Sequence, residues 1–257
     1  MRLSVVVPMY NEVRALAKLV DTISVRFPAD STEFILVDDG STDGTAAIAE
    51  NMCRGKDNIS VLSLPTNVGK GAALRAGVAM SNGEALLFMD ADLSTSLDSF
   101  EEMLTLLDQF DIVIGSRSVD GSVVLRSSLL RALMGRTFNS LMRLITGLQI
   151  QDSQCGFKLF RGDVGRLLFS MSAVDRFSID PEVLRIGQIL GYSINEFPVK
   201  WTAGNHSAVR PVRDSLESAA SLIATRLATR PRRVLTSAQT IGLPIPSPVQ
   251  SIIKPAS

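Results

Sequence analysis

The chain has 257 residues, of which 46% are hydrophobic and 20% charged, as expected of a globular protein with a sizeable core. Its 26 basic and 26 acidic side chains balance, which argues against a nucleic-acid partner. Two cysteines, one in each half, form neither a disulfide framework nor a zinc site, and they favour a reducing cytoplasm. No segment reaches the roughly 18–20 uncharged apolar residues of a membrane-spanning helix. We expect a cytoplasmic chain without a transmembrane segment, with peripheral contact at the inner face of the membrane as an option.

Short aliphatic runs alternate with helix-like patterns through the first half of the chain. The predicted strands are 3–7, 33–37, 59–63, 85–89 and 111–114, and the predicted helices are 13–26, 45–53, 70–80 and 97–107. Such alternation predicts an α/β fold with a mostly parallel central sheet flanked by helices.

Polar clusters follow the first four predicted strands. They lie at 8–12, 38–43, 65–70 and 90–94. In open α/β sheets, ligands bind beyond the carboxyl ends of the strands. We therefore expect these four loops to converge on one crevice.

The pattern changes beyond residue 117. The predicted elements are an amphipathic helix over 128–146, a polar turn over 151–156, a strand over 157–160, helices over 164–171 and 180–190, a strand over 193–200 and a helix over 216–227. We divide the chain into a main domain over 1–202, a basic amphipathic helical region over 203–233 and a disordered, proline-rich tail over 234–257. The basic helical region suits an anionic membrane surface or a partner subunit, or packs on the protein's own core.

Asp90, Ala91 and Asp92 directly follow an apolar strand-like run. Two carboxylates separated by one residue can hold one hard divalent cation, Mg²⁺ or Mn²⁺. A cation bound to a nucleotide diphosphate would neutralise the charge that develops on the leaving phosphates. The structural alternative is that Asp92 or Ser94 caps the helix that begins near residue 97.

Asp38 and Asp39 directly follow the second predicted strand, within the sequence VDDGSTDGT. A carboxylate at this place can accept hydrogen bonds from a ribose hydroxyl or a uracil N–H. A capped turn would explain Asp43 and the two glycines, but it would not explain two adjacent carboxylates at a strand end.

Lys70 begins a helix within the glycine-containing segment 67–72. Small residues let a ligand approach the backbone, and a lysine at a helix start adds positive charge for a phosphate. An ordinary glycine-rich helix entry is the alternative. The segment lacks the G-x-x-x-x-G-K-[ST] spacing, so we reject an ATPase.

Six motifs, taken in chain order, resemble the inverting glycosyltransferase family 2. The motifs are PMYNE, VDDGSTDGT, NVGKGAALRAG, MDADLS, GSR and DSQCGFKLF. The resemblance extends from residue 3 to about residue 202 and is strongest to the branch that transfers glucose or mannose to dolichyl or polyprenyl phosphate. It implies a GT-A nucleotide-diphospho-sugar transferase fold, with 1–202 as the catalytic domain.

The resemblance also implies the roles of individual residues. Asp90 and Asp92 would hold Mg²⁺ or Mn²⁺. Residues at the nucleotide-sugar site would be Pro8, Tyr10, Glu12, Asp38, Asp39, Lys70, Asp90, Ala91, Gln154 and Lys158. Catalysis would depend on Asp92, Arg117 and Asp180.

Two arginines and one acidic segment relate to the acceptor. Arg117 and Arg131 fall where related enzymes grip a lipid phosphate, and guanidinium groups suit phosphate better than ammonium does. Arg131 on a solvated helix face is the alternative. Asp180, with Glu182 as second choice, resembles the acidic residue near the reaction centre. Asp180 before Pro181 also suits a helix N-cap.

We therefore expect transfer of a hexose from a nucleotide diphosphate sugar, UDP-glucose as first choice, to a polyprenyl or dolichyl phosphate. Close relatives usually carry transmembrane helices, so a membrane-anchor partner or a peripheral membrane contact would substitute for them. The alternatives are a soluble acceptor and a non-catalytic nucleotide-sugar-binding subunit. A sugar-1-phosphate nucleotidyltransferase would want a glycine- and arginine-rich N-terminal loop, which residues 8–12 do not provide.

Overall fold

The structure is a computed structural model that describes residues 1–125, 139–203, 225–227 and 229–240. Arg131 lies outside the described residues, as do most of the two helices predicted over 128–146 and 216–227. Residues 139–146 are helical, as predicted for the end of the first of them. No helix in the described ranges is long and apolar enough to span a bilayer.

Nine strands form two sheets in the part of the chain that the structure describes. The strands are β1 (Leu3–Met9), β2 (Thr32–Asp38), β3 (Ile59–Ser63), β4 (Ala85–Met89), β5 (Ile112–Ser116), β6 (Val123–Leu125), β7 (Phe157–Arg161), β8 (Ile194–Pro198) and β9 (Lys200–Thr202). The large sheet has the order β3-β2-β1-β4-β7-β5-β8, and β6 pairs with β9 separately. Only β7 runs antiparallel to its neighbours in the large sheet, so the predicted mostly parallel sheet is confirmed.

The central strands are continuous apolar runs because both faces of the sheet are covered. Neighbouring residues of β1 belong to different cores: Val5 and Val7 pack in one cluster, and Val6 packs in the other. All five residues of β4 are buried. The sheet therefore carries a hydrophobic core on each side and presents its polar loops at the edge where the parallel strands end.

The helices cover both faces. Besides the helical residues 139–146 and 225–227, they are α1 (Val13–Arg26), α2 (Thr45–Cys53), α3 (Lys70–Met80), a 3₁₀ turn (Leu97–Ser99), α4 (Phe100–Leu106), α5 (Gly162–Met171), α6 (Ile179–Leu190) and α7 (Pro231–Thr240). The bounds of α1, α2 and α3 match the prediction. The helix predicted over 97–107 begins instead with the 3₁₀ turn, whose N-cap is Ser96, with its Oγ accepting a hydrogen bond from Asp98 N at 3.2 Å. Capping by Asp92 or Ser94 is therefore wrong.

The strand predicted over 193–200 is divided at Val199. This buried residue donates its N–H to Ser116 O of the large sheet at 3.2 Å, and its carbonyl accepts from Val123 N of the small sheet at 3.1 Å. The chain therefore passes from one sheet to the other at this residue.

The predicted disordered tail is wrong over its first seven residues, because α7 continues to Thr240. Val234, Leu235 and Ala238 are buried in the core cluster that includes α6. Their spacing places them on one stripe of a helix. The sequence signal was weak because these three are the only buried positions of a short, polar helix. Residues 241–257 lie outside the described residues.

We predict that Leu235→Ala lowers the free energy of unfolding by about 2–5 kcal/mol, because it removes most of a fully buried side chain. The matched control is Ser237→Ala, which changes an exposed residue of the same helix. Urea denaturation measures both. Equal midpoints for the two variants would show that α7 does not pack on the domain in solution.

Candidate functional site

The loops after β1 and β2 are joined by hydrogen bonds. Asn11 N donates to Ser41 Oγ at 2.8 Å, and Thr42 N donates to Asn11 Oδ1 at 2.9 Å. Glu12 N donates to Thr45 Oγ1 at 2.9 Å, at the start of α2. The predicted convergence of these loops is confirmed. Pro8, near the end of β1, is half-buried, and Tyr10 is 44% exposed at the same edge.

Asp38 and Asp39 differ in their hydrogen bonds although they are adjacent. The buried carboxylate of Asp39 accepts hydrogen bonds from Asn67 Nδ2, Val68 N and Gly69 N at 2.8–2.9 Å, so it fixes the loop after β3. Asp38 is also buried, and its Oδ2 accepts from Ser41 N at 3.0 Å. None of the described residues donates to Asp38 Oδ1. Buried polar atoms rarely stay unbonded, so Asp38 is the carboxylate suited to a ligand donor.

The glycines at the start of α3 leave room for another segment of the protein rather than for a ligand. A Cβ on Gly71 would lie 2.1 Å from Val174 O, and one on Gly69 would lie 2.4 Å from Asp175 O. Gly71 N also donates to Asp175 O at 2.7 Å. The predicted close approach of a ligand to this backbone is therefore wrong, because the 174–175 segment already occupies it. The side chain of Lys70 extends from this helix start to Asp90 after β4.

Two lysines and two aspartates form a partly buried network beside the crevice. Lys70 Nζ lies 2.9 Å from Asp90 Oδ1 and 3.3 Å from Asp180 Oδ2. Lys158 Nζ lies 2.5 Å from Asp180 Oδ1 and donates to Cys155 O. Burial opposes the charge of Lys70, but Asp180 and Asp90 outweigh it and raise the pKa of Lys70 above its ordinary value. Its ammonium group is therefore charged at neutral pH.

Three predictions about the residues around this network need correction. Lys158, predicted at the nucleotide-sugar site, is fully buried, and its Nζ contacts Asp180 and the carbonyl of Cys155 rather than the crevice. Asp180 lies in the first turn of α6, whose N-cap is Ser178, so the N-cap alternative is also wrong. Glu182 is buried and accepts hydrogen bonds from Ala173 N and Val174 N, which makes it a support of the 172–178 loop.

The Asp90–Asp92 segment presents its carboxylates at the crevice. The Asp90 side chain is 42% exposed, and Asp92 is exposed while it accepts from Ser94 N at 2.9 Å. Ala91 between them is buried. Leu93 follows with φ of 52°, a left-handed conformation that is uncommon for non-glycine residues.

Gly156 is a constraint on Asp90 that sequence reasoning missed. Asp90 N donates to Gly156 O at 3.0 Å, and a Cβ on Gly156 would lie 1.7 Å from Asp90 Oδ2. Only glycine leaves room for the carboxylate at this place. The signal was the glycine within the DSQCGFK motif, but sequence spacing does not reveal which side chain it accommodates.

The crevice has a negative electrostatic potential at Glu12. Burial raises the pKa of Glu12 to about 7, with further contributions from Asp92, Asp90 and Asp43. The carboxylate oxygens are the ligands that Mg²⁺ and Mn²⁺ prefer. Among the described residues, no group of three or more His, Cys, Asp or Glu is arranged to hold a metal. The carboxylates of Asp90 and Asp92 thus suit a cation that these two aspartates alone hold on the protein side. Its other coordination positions would remain free for oxygen atoms of a bound ligand.

Arg117 is paired with a residue that sequence reasoning missed. Its Nε and Nη2 donate to the two carboxylate oxygens of Asp152 at 2.7 and 2.9 Å, and its guanidinium lies 5.3 Å from the centre of the Trp201 ring. Burial opposes ionisation of Asp152, but the bonds from Arg117 outweigh it and hold the pKa of Asp152 below its ordinary value. Gln154, half-buried in the same turn, donates its N–H to Asp152 Oδ1 at 3.2 Å.

Residues 4–167 match the model of Glycosyl transferase family 2. A dolichyl-phosphate beta-glucosyltransferase of Trichomonas vaginalis is 39% identical over 210 residues, covering 76% of this chain and 62% of the relative. The human dolichyl-phosphate beta-glucosyltransferase is 35% identical over 243 residues, covering 88% of this chain and 75% of the relative. The chain thus spans less than two thirds of the first of these relatives.

Solved structures of similar fold include glucosyl-3-phosphoglycerate synthase from Mycobacterium tuberculosis in complex with Mn²⁺, UDP and glucosyl-3-phosphoglycerate. Its TM-score is 0.64 at 21% identity, covering 89% of this chain and 79% of that one. At this identity the likeness establishes the GT-A fold. By its sequence match and its fold, this chain belongs to glycosyltransferase family 2.

Proposed function

We propose that this chain transfers a hexose from a nucleoside diphosphate sugar, UDP-glucose as first choice, to a dolichyl or polyprenyl phosphate. The observation that carries the proposal is the pair Asp90 and Asp92, whose carboxylates are exposed after β4 where the crevice loops meet. The named activity of the dolichyl-phosphate relatives supports the acceptor and the hexose.

Asp90 and Asp92 would hold Mg²⁺ or Mn²⁺, because their oxygens suit a hard cation and Gly156 leaves room for one of them. When bound, such an ion neutralises the charge that develops on the departing nucleoside diphosphate. Glu12 lies in the field of both aspartates and adds a further negative charge when it is ionised.

Other residues of the crevice would bind and orient the donor. Asp38 Oδ1 is suited to accept a hydrogen bond from the N–H of a uracil base, which would offset the cost of burying an unbonded oxygen. Tyr10 would lie beside it at the exposed edge. Asp39 would act indirectly, by holding the loop at 67–69. Lys70 would place its positive charge near the diphosphate.

A phosphate acceptor changes what the reaction requires of the protein. Such an acceptor is already ionised near neutral pH, so it needs little help from a general base. This agrees with Asp180, which lies between two ammonium groups and is 3% exposed. We assign Asp180 a positioning role. Arg117 gives two side-chain N–H groups to Asp152 and has others left for an acceptor phosphate; we propose Arg131 as its partner there.

The direct test is incubation of the protein with UDP-glucose, Mn²⁺ and dolichyl phosphate. The proposal predicts release of UDP and formation of glucosyl dolichyl phosphate, both dependent on the metal and on the lipid. Release of pyrophosphate would indicate a nucleotidyltransferase. A UDP-glucose-dependent rise in melting temperature without turnover would indicate a binding subunit.

For Asp92→Ala we predict transfer that is about a thousandfold slower, because several kcal/mol of charge stabilisation are lost at about 1.36 kcal/mol per decade. The control is Asp98→Asn, which removes another exposed carboxylate six residues further along the chain. Turnover near the wild-type rate in Asp92→Ala would refute the metal role, provided that both variants have the wild-type melting temperature.

For Gly156→Ala we predict a loss of transfer comparable to that of Asp90→Asn, because the new methyl group would take the position of Asp90 Oδ2. The atom displaced is the end of a side chain, so the fold is expected to survive. Mn²⁺ binding and thermal unfolding measured side by side separate the two effects. Normal Mn²⁺ affinity in a folded Gly156→Ala protein would contradict this role of the glycine.

For Glu12→Gln we predict a pH-dependent gain in stability over the wild type. Folding raises the pKa of Glu12 from 4.5 to about 7, so the folded state binds this proton more tightly than the unfolded state does. The charged form therefore destabilises the wild type, and the cost grows from about pH 4.5 to about pH 7 and is constant above that. Thermal unfolding of both proteins across this range measures it, with Glu50→Gln on the exposed side of α2 as control. A stability difference between Glu12→Gln and the wild type that does not change with pH would contradict this prediction.

A further inference from the structure

We propose that Lys70 and a divalent cation compete for Asp90, so that the cation must displace the Lys70 ammonium group from this carboxylate. The proposal rests on the proposed function, because it takes Asp90 as a metal ligand. It has a second part: the displaced ammonium becomes available to a nucleoside diphosphate, so that the cation and the diphosphate favour each other's binding.

The two carboxylates that contact Lys70 differ in access. The side chain of Asp90 is 42% exposed, whereas the side chains of Asp180 and Lys70 are 2% and 13% exposed. A cation that enters from the crevice therefore reaches Asp90 but not Asp180. A cation can therefore take the place of Lys70 at Asp90, whereas Asp180 stays paired with Lys70.

Lys158 fixes the other side of the network. Its side chain is 1% exposed, and its Nζ is held by Asp180 and by the carbonyl of Cys155. The Phe88 ring lies 4.9 Å from Lys158 Nζ and 5.2 Å from Lys70 Nζ. The Phe88 ring offers neither ammonium group a conventional hydrogen-bond acceptor. Of the two lysines, only Lys70 can therefore move its ammonium group toward the crevice.

The charge balance of the network changes when Asp90 exchanges Lys70 for a cation. Lys70 and Lys158 balance Asp90 and Asp180, so the network is neutral as long as Asp90 belongs to it. Once Asp90 binds a divalent cation, two ammonium groups share the single carboxylate of Asp180. One positive charge is then uncompensated at the edge of the crevice, where burial makes it costly. A diphosphate is the complementary charge.

Competition between Lys70 and the cation for Asp90 should be measurable in the affinities for the cation and for the diphosphate. A cation and an ammonium group at one carboxylate repel each other, so Lys70 weakens binding of the cation alone. A diphosphate that pairs with the displaced Lys70 removes this penalty. Because coupling between two ligands is reciprocal, the diphosphate must then tighten cation binding, and the cation must tighten diphosphate binding by the same factor.

The experiment is a titration of Mn²⁺ followed by the electron paramagnetic resonance signal of the free ion, with and without UDP. The proteins are the wild type, Lys70→Met, Lys70→Gln and the control Lys18→Met, which removes an exposed cation from α1. Each titration with UDP is compared with the same UDP concentration without protein, because UDP itself binds Mn²⁺. Two substitutions at Lys70 are used so that one poorly folded variant does not decide the result.

We expect both Lys70 variants to bind Mn²⁺ alone about tenfold more tightly than the wild type, the order of effect of one removed like charge in a partly buried site. We also expect UDP to tighten Mn²⁺ binding by about tenfold or more in the wild type and in Lys18→Met, and to do so much less in the Lys70 variants.

Unchanged or weaker Mn²⁺ affinity in folded Lys70→Met and Lys70→Gln, alongside wild-type binding of Mn²⁺ with UDP, would overturn the displacement and leave the proposed function standing. Equal enhancement by UDP with and without Lys70 would overturn the second part. Absence of Mn²⁺ binding by the wild type even with UDP would overturn this inference and the metal role in the proposed function together.

Discussion

The carboxylate of Asp180 between the ammonium groups of Lys70 and Lys158 is the interaction on which the site depends. It joins three elements that are far apart in the sequence, since Lys70 begins α3, Lys158 lies in β7 and Asp180 lies in the first turn of α6. Lys70 extends the network to Asp90 after β4. Removing one member of a buried ion pair leaves a charge without a partner, which typically costs about 3–5 kcal/mol. The position of Asp90 is therefore coupled to the packing of α6 on the sheet.

Close approach of backbone segments is the second constraint, and it explains glycines that a motif search connects with ligands. Gly71 and Gly69 admit the 174–175 segment against the start of α3, and that segment is in turn held by Glu182. Gly156 leaves room for Asp90. The loops around the crevice are thus fitted to one another as much as to a substrate. Protein atoms fill two of the places at which small residues would otherwise suggest a phosphate.

Regular features of the fold could be predicted because they depend on local sequence. The bounds of α1, α2 and α3 follow from helical periodicity and from turn residues at their ends. The convergence of the loops follows from the parallel sheet, whose parallel strands present their carboxyl ends at one edge. The different environments of Asp38, which ends β2, and of Asp39, which follows it, were also accessible in principle, because successive side chains of an extended chain point to opposite sides.

The remaining features depend on contacts between residues distant in sequence. Arg117 and its partner Asp152 are 35 residues apart, and no periodicity connects them. The family resemblance assigns Lys158 to the nucleotide-sugar site, whereas a lysine inside a buried strand is explained by the opposing carboxylate of Asp180, which the sequence does not reveal. The helix over Pro231–Thr240 was missed because three apolar residues are too few to signal burial without the surface they cover.

We propose that Asp90 and Asp92 together hold the divalent cation that the departing nucleotide requires. The most direct measurement is a crystal structure of this chain grown with UDP and Mn²⁺, with data collected at the manganese absorption edge. We expect one anomalous peak within coordinating distance of a carboxylate oxygen of each aspartate and of the diphosphate. A bound UDP without such a peak, or a manganese ion held by other side chains, would contradict the claim.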